Sequence, residues 1–226
     1  MNILIKLSQL SSVFLLSSLV AVSHAATNYD EAILAFENRE YATALELSLP
    51  LAQQQDVAAM TLLGRVYDEG FNKPKAALPW FQKAADLGDA QAQVELAELY
   101  DAGEGVVKDT EKAVYWYEKA AAQGHEEAQL ALALHYQQDL DDNDTAIDYF
   151  QKAAEQGNAI AQYRLGLLYL GDTGIAVDTT KAWLYFSLAA SKLAEAAQAR
   201  DVLELEMSKS QLTQATLALK QWQSSR

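Results

Sequence analysis

The sequence predicts an all-α fold, a right-handed α-solenoid of helix-turn-helix units, and three observations carry that prediction. A tyrosine returns at Tyr67, Tyr100, Tyr136 and Tyr169, at spacings of 33, 36 and 33 residues. An alanine returns at Ala44, Ala77, Ala113, Ala146 and Ala182, at spacings of 33, 36, 33 and 36. From each of the first four alanines to the following tyrosine the distance is always 23 residues, so the three-residue variation falls wholly between a tyrosine and the alanine after it. A fixed period of this size marks stacked units, each too small to bury its apolar face alone, while loops on one edge lengthen without disturbing the stack.

The elements follow in order. Residues 1–25 carry one early charge, Lys6, an apolar stretch from Leu10 to Val22, and small residues Ser23 and Ala25 around His24. That is the pattern of a secretory signal peptide, with cleavage expected after Ala25 and no membrane insertion afterwards. Residues 26–56 read as a divergent first unit, with Ala44 and Ala52 in register and Leu47 in place of an aromatic residue. The units 57–89, 90–125, 126–158 and 159–193 then repeat one design. Their first helices carry Leu63-Gly64-x-x-Tyr67, Leu96-Ala97-x-x-Tyr100, Leu132-Ala133-x-x-Tyr136 and Leu165-Gly166-x-x-Tyr169. Leucine and tyrosine four apart share a helical face, and the small residue beside the leucine lets a partner helix come close.

The second helices carry Ala77-x-x-Trp80-Phe81, Ala113-x-x-Trp116-Tyr117, Ala146-x-x-Tyr149-Phe150 and Ala182-x-x-Tyr185-Phe186, each followed by a pair of alanines such as Ala84-Ala85. This is one apolar stripe at helical spacing. Gly88, Gly124 and Gly157 are expected to end second helices in a left-handed conformation. Loop glycines in Gly103-Glu104-Gly105-Val106 and Gly171-Asp172-Thr173-Gly174-Ile175 turn the chain ahead of Asp109 and Asp178, near the next helix start. Two loops depart from this: one is short and holds Pro74, and the one after Tyr136 is acidic from Asp139 to Asp144 with no glycine. Residues 194–226 read as a C-terminal helical cap.

The chain has 226 residues, no cysteine and a formal charge of −14. Disulfides, thiolate metal sites and a lipoprotein anchor are therefore excluded, and helix stacking must supply the stability. Removal of Lys6 with the leader leaves 16 basic against 31 acidic side chains. Such a balance repels nucleic acid and anionic lipid, and suits basic protein partners.

These repeats resemble the Sel1-like repeat family, relatives of the tetratricopeptide repeat. The unit from Ala90 to His125 carries the resemblance most fully, in its length of 36, its Gly-x-Gly-Val loop and its Trp116-Tyr117-x-x-Ala120-Ala121 ending. The resemblance implies a protein-binding scaffold or adaptor that is not an enzyme, exported to the periplasm of a Gram-negative bacterium. Its partners would be envelope proteins, basic ones among them, with no cofactor implied. In related arrays the ligand-facing positions lie on the first helices, away from the second. Carried over by register, that points to Arg65, Asp68, Glu98, Asp101, Gln137 and Tyr163. Sel1-like repeats also occur in cell-wall and polysaccharide-export systems, which implies two alternatives: an envelope enzyme or enzyme regulator, and a structural part of an envelope machine.

Catalytic signals are weak. Beyond the leader only His125 and His135 remain, and His125-Glu126-Glu127-Ala128-Gln129 lacks the second histidine of a zinc-protease helix. No nucleophile elbow, Ser-x-x-Lys motif or phosphate-binding loop occurs. Asp139-x-Asp141-x-Asn143 matches the first half of a calcium loop, but Asp144 and Phe150 stand where a glycine and a glutamate belong, so a solvated acidic loop is expected. The aromatic series Trp80, Trp116, Tyr149 and Tyr185 is expected to pack between helices rather than to stack on sugars.

Overall fold

The computed structural model describes residues 28–139, 142–171 and 176–225. The leader, two residues of the acidic loop, which include Asp141 of the half calcium motif, and residues 172–175 of the last glycine loop lie outside the described residues. The described residues form helices and turns without a strand, in two compact units that divide at Ala113 and Val114.

The first unit holds α1 (28–37), α2 (Tyr41–Gln53), α3 (Val57–Arg65), α4 (Pro74–Asp86), α5 (Ala90–Ala102) and the start of α6 (Thr110–Ala122). Helix α3 runs on into a π-helical turn, Val66–Gly70. The second unit holds the rest of α6, then α7 (Glu126–Gln138), α8 (Asn143–Glu155), α9 (Ala159–Leu168), α10 (Thr179–Ala189), α11 (Ala194–Glu206) and α12 (Lys209–Ser224). The last two make the cap region helical, and Ser208 opens α12 through a reciprocal capping box with Gln211.

Short polar residues start the helices. Asp56, Asp89 and Asn158 accept from the backbone N–H groups of Ala59, Ala92 and Ala161 at 2.9, 2.7 and 2.9 Å. Asp109, Asp142 and Asp178 do the same for the second helices. The carboxyls of Asp109 and Asp142 are held below the usual range, the first chiefly by a side-chain bond from Lys112 and the second chiefly by the Thr145 backbone N–H.

Between repeats the chain turns in a two-bond motif. Gly88 N–H donates to Ala85 O at 3.0 Å and Asp89 N–H to Ala84 O at 3.1 Å, with Gly88 at φ +94. This Schellman turn satisfies two of the orphan carbonyls at the end of α4 and runs straight into the N-cap of α5. A further orphan bond is shared by side chains: Gln93 donates to Ala85 O at 3.1 Å and Gln162 to Ala154 O at 3.1 Å, both glutamines buried. Gln129 reaches Ala121 O at 3.5 Å in the same way.

Loops of two lengths close on one hydrogen bond. The carbonyls of Tyr67, Tyr100, Tyr136 and Tyr169 accept from the N–H groups of Lys73, Asp109, Asp142 and Asp178 at 2.8, 2.9, 2.8 and 2.8 Å. The extra three residues of the longer loops therefore lie inside a fixed closure, as the constant spacing requires.

The core centres on the residue after the expected aromatic. Phe81, Phe150 and Phe186 are fully buried, as are Leu63, Leu96, Leu132 and Leu165. Trp116 and Tyr185 are also buried, whereas Trp80 and Tyr149 are partly buried. Tyr149 and Tyr185 lie parallel on Tyr136 and Tyr169 at 5.7 and 5.9 Å between centroids. Burial, then the neighbouring Tyr169 and Glu155, pushes the Tyr185 phenol up to about 12.

The phenylalanines set the separation of paired helices. A Cβ on Gly64 would stand 2.6 Å from Phe81 Cδ1, and one on Gly166 would stand 2.5 Å from Phe186 Cδ1. Each ring rests on bare backbone. Gly166→Ala is therefore expected to cost about 1–3 kcal/mol, read as a lower midpoint in chemical denaturation, and Phe186→Leu in the same chain recovers part of the loss. An unchanged midpoint for Gly166→Ala would contradict the close approach.

Candidate docking groove

Helix α1 presents Tyr29, Ile33 and Phe36, spaced i, i+4 and i+7, as one stripe. Their inner edges pack on the first-unit core formed by Ala32, Ala35, Ala44, Leu62 and Val66, and all three remain partly exposed. Across from them α3 turns the small residues Ala58 and Thr61 and the longer Leu62 and Arg65. The space between the stripes is a groove of about 300 Å³, reached at its far side by Asp89 and Gln91 at the start of α5.

Two of its lining residues, Arg65 and Gln91, belong to a polar network that continues behind the wall. Arg65 Nε donates to Glu69 Oε1 at 2.7 Å and lies 3.5 Å from Glu95 Oε1, while its guanidinium carbon sits 4.7 Å above the Phe36 ring. Gln91 donates to Glu95 at 2.9 Å. Burial pushes the Glu95 carboxyl above the usual glutamate range against the pull of Gln91 and Arg65, with Glu69 and Asp68 adding to the rise. The Asp68 carboxyl is likewise raised, by burial first and then by Glu104 and Glu69. At the other end burial, then Asp56, Asp89 and Asp30, raises the Tyr29 phenol, with Arg65 opposing. The groove is aromatic-walled and its field is negative.

A second cleft of about 520 Å³ lies beside Trp80, lined among others by Met60, Lys83, Asp86 and Leu87. Lys83 sits 4.9 Å above the Trp80 ring, and its charge balances Asp86, so this cleft carries no charge preference.

The sequence-derived positions divide between the units. In the first, Arg65 stands in the groove wall and Asp68 on the π-helical turn beside it. Glu98 is exposed on α5, and Asp101 lies 3.8 Å from Lys108. In the second, Gln137 is partly buried at the end of α7, and the Tyr163 ring sits 5.7 Å from that of Phe186, turned toward the second helix of its repeat. Sequence reading missed the α1 stripe, Glu95 and the buried glutamines. For Gln93, Gln129 and Gln162 a signal existed, since they recur in register. The α1 stripe lies in the divergent unit, where no repeat signature marks a face.

His135 Nδ1 lies 2.7 Å from Asp139 Oδ2, so Asp139, the first position of the half calcium motif, is already engaged. Among the described residues no cluster of three or more histidines and carboxylates could hold a metal ion, and no helix is long and apolar enough to cross a membrane.

The sequence signature of the Sel1 repeat matches residues 57–89, 90–125, 126–158 and 159–192. The chain belongs to the Sel1 repeat family. Among solved structures it is similar to a Sel1 repeat protein from Oxalobacter formigenes, with 30% identity and TM-score 0.68, over 74% of this chain and 71% of that one. It is similar also to a protective antigen with an SLR fold from uropathogenic Escherichia coli, with 26% identity and TM-score 0.53, over 88% of this chain and 53% of that one. A Sel1 repeat protein from Klebsiella pneumoniae, at 19% identity and TM-score 0.54, shares the fold over 80% of this chain and 93% of that one. No curated protein matches the chain.

The raised Glu95 carboxyl gives the Sel1 repeat chain a pH signature. A folded carboxyl above its unfolded value holds a proton that the unfolded chain has released, so stability falls as pH rises from the ordinary value of 4.5 upward. Glu95→Gln is expected to flatten that decline in denaturation midpoints measured across a pH series. A decline of the same slope in the variant would place the charge cost elsewhere.

Proposed function

We propose that this Sel1 repeat protein is exported and acts in the bacterial cell envelope as a non-enzymatic scaffold, gripping partner proteins through the exposed faces of its first helices. The observation that carries the reading is the groove between α1 and α3, where an apolar stripe of three side chains stays partly exposed beside the charged Glu37, Arg65 and Asp89. A concave wall of apolar and aromatic side chains with a few polar groups set beside it is the usual make-up of a binding groove. The leader pattern of residues 1–25 supports export. Glu98 and Asp101 extend the acidic surface along α5, and we place Arg65, Asp68, Glu98 and Asp101 in the contact surface of the first unit. In the second, Gln137 is the counterpart of Asp68 and Asp101, and Tyr163, in the register of Thr61, contributes only its exposed edge.

The mechanism needs no covalent step. Many weak contacts along helix faces sum to affinity, while rim charges steer the encounter. One experiment addresses location and binding together. Protein released from the periplasm should begin at Ala26, and Glu98→Lys with Asp101→Lys should slow association with its captured partner about tenfold at low salt. A product that keeps its leader in the cytoplasm, or an association rate unchanged by the double reversal, would count against the corresponding half of the reading.

A further inference from the structure

We propose that the groove between α1 and α3 receives a linear segment of a partner protein that presents a cationic side chain beside an apolar one. The inference rests on the scaffold reading and names the chemistry of the partner. At about 300 Å³ the groove sits at the small end of the range for ligand clefts, so it takes side chains rather than a folded domain. Ile33 and Phe36 supply an apolar seat, and the small Ala58 and Thr61 opposite leave the room.

The charge of the groove selects the other side chain. Glu37 and Asp89 line it, and Asp30 and Asp56 add to the negative field felt by the Tyr29 phenol. Arg65 is the one cation in the lining among the described residues, and its guanidinium is turned to Glu69 and Glu95. Arg65 also shows how this surface holds a cation, with an aromatic face on one side and carboxylates on the other. An incoming lysine or arginine meets a like combination at Tyr29, whose phenol feels Asp56, Asp89 and Asp30, while Glu37, about 12 Å further along α1, adds its charge at the other end of the groove. An acidic segment meets repulsion from every carboxylate in the wall.

The test uses the purified full chain and three fluorescein-labelled peptides with capped ends, built on one leucine–alanine frame that carries lysine, glutamate or serine at alternate places. Anisotropy at low ionic strength should show the lysine peptide binding at least about tenfold more tightly than the glutamate peptide. Glu37→Lys and Phe36→Ala should each weaken it about tenfold, and Glu46→Lys, on the exposed face of α2, should leave it within about twofold. Circular dichroism of each variant separates lost binding from lost fold. Equal weakening by Glu37→Lys and Glu46→Lys would overturn the proposal, because net charge alone would then account for binding. Tighter binding of the glutamate or serine peptide, abolished by Phe36→Ala, would overturn the cationic chemistry while leaving the scaffold reading in place. Failure of all three peptides would overturn the proposal as well.

Discussion

In the repeats that carry Gly64 and Gly166, an aromatic ring pressed onto bare backbone fixes the spacing of the helix pair. Phe81 lies on Gly64 and Phe186 on Gly166 so closely that a single methyl group would collide with the ring. Close packing of the helix pair leaves the second-helix alanines Ala77, Ala113, Ala146 and Ala182 fully buried, in the repeats with Ala97 and Ala133 at the glycine position as in the two with glycine. It also explains why insertions never enter the helices. A register change would lift Phe81 or Phe186 off its glycine, and the loops take up the length difference instead: the longer one between Tyr100 and Asp109 closes on the same hydrogen bond as the shorter one between Tyr67 and Lys73.

Stacking one repeat on the next raises a second problem, the orphan carbonyls where a second helix ends inside the array. Water is excluded there, and an unpaired buried carbonyl costs about 1–3 kcal/mol. The Schellman turn pairs two of them, and a buried glutamine from the next repeat adds a bond to one. The junction between α2 and α3 departs from this design. Gln55 takes the left-handed place that Gly88 holds one repeat later, at φ +68, and Met60 stands where the other junctions carry the buried glutamine. Ser48, in the position of Phe81, is fully buried and its hydroxyl has no hydrogen-bond partner among the described residues. The first unit is thus the least idealised part of the array, and the groove lies in it.

The fold was legible because the repeat is written at helical resolution. Leu63, Tyr67, Ala77 and their counterparts report which helix they lie on and which face is inward, and no competing periodicity fits them. The glutamine contacts were written equally plainly but are indistinguishable in sequence from exposed polar positions until the turn before them is seen. The groove was hidden for another reason. Its stripe, Tyr29, Ile33 and Phe36, sits on α1, which lacks the leucine–glycine–tyrosine pattern. The π-helical turn after Arg65 then rotates Asp68 and Glu69 away from where a regular helix would carry them, a change that 3.6-residue counting does not register. Register transferred from related arrays placed Tyr163 on the open face, but it stands at the position of Thr61 and Val94, both buried, and its ring leans on Phe186.

The surface chemistry then narrows what the chain can do. Carboxylates dominate it, and the exposed lysines near the repeat tyrosines are engaged within the chain, with Lys112 at 5.1 Å over Tyr100 and beside Asp109, and Lys181 at 4.8 Å over Tyr169 and beside Asp178. What faces outward in the first unit is an acidic surface around an aromatic-walled groove. The most direct measurement is in-cell photocrosslinking from a reactive residue in place of Ile33, compared with one in place of Glu46, followed by mapping of the joined peptides. The account predicts one dominant envelope protein joined at Ile33, through a segment containing lysine or arginine, and none enriched at Glu46. The same captured set from both positions, or joined segments that are acidic, would contradict it.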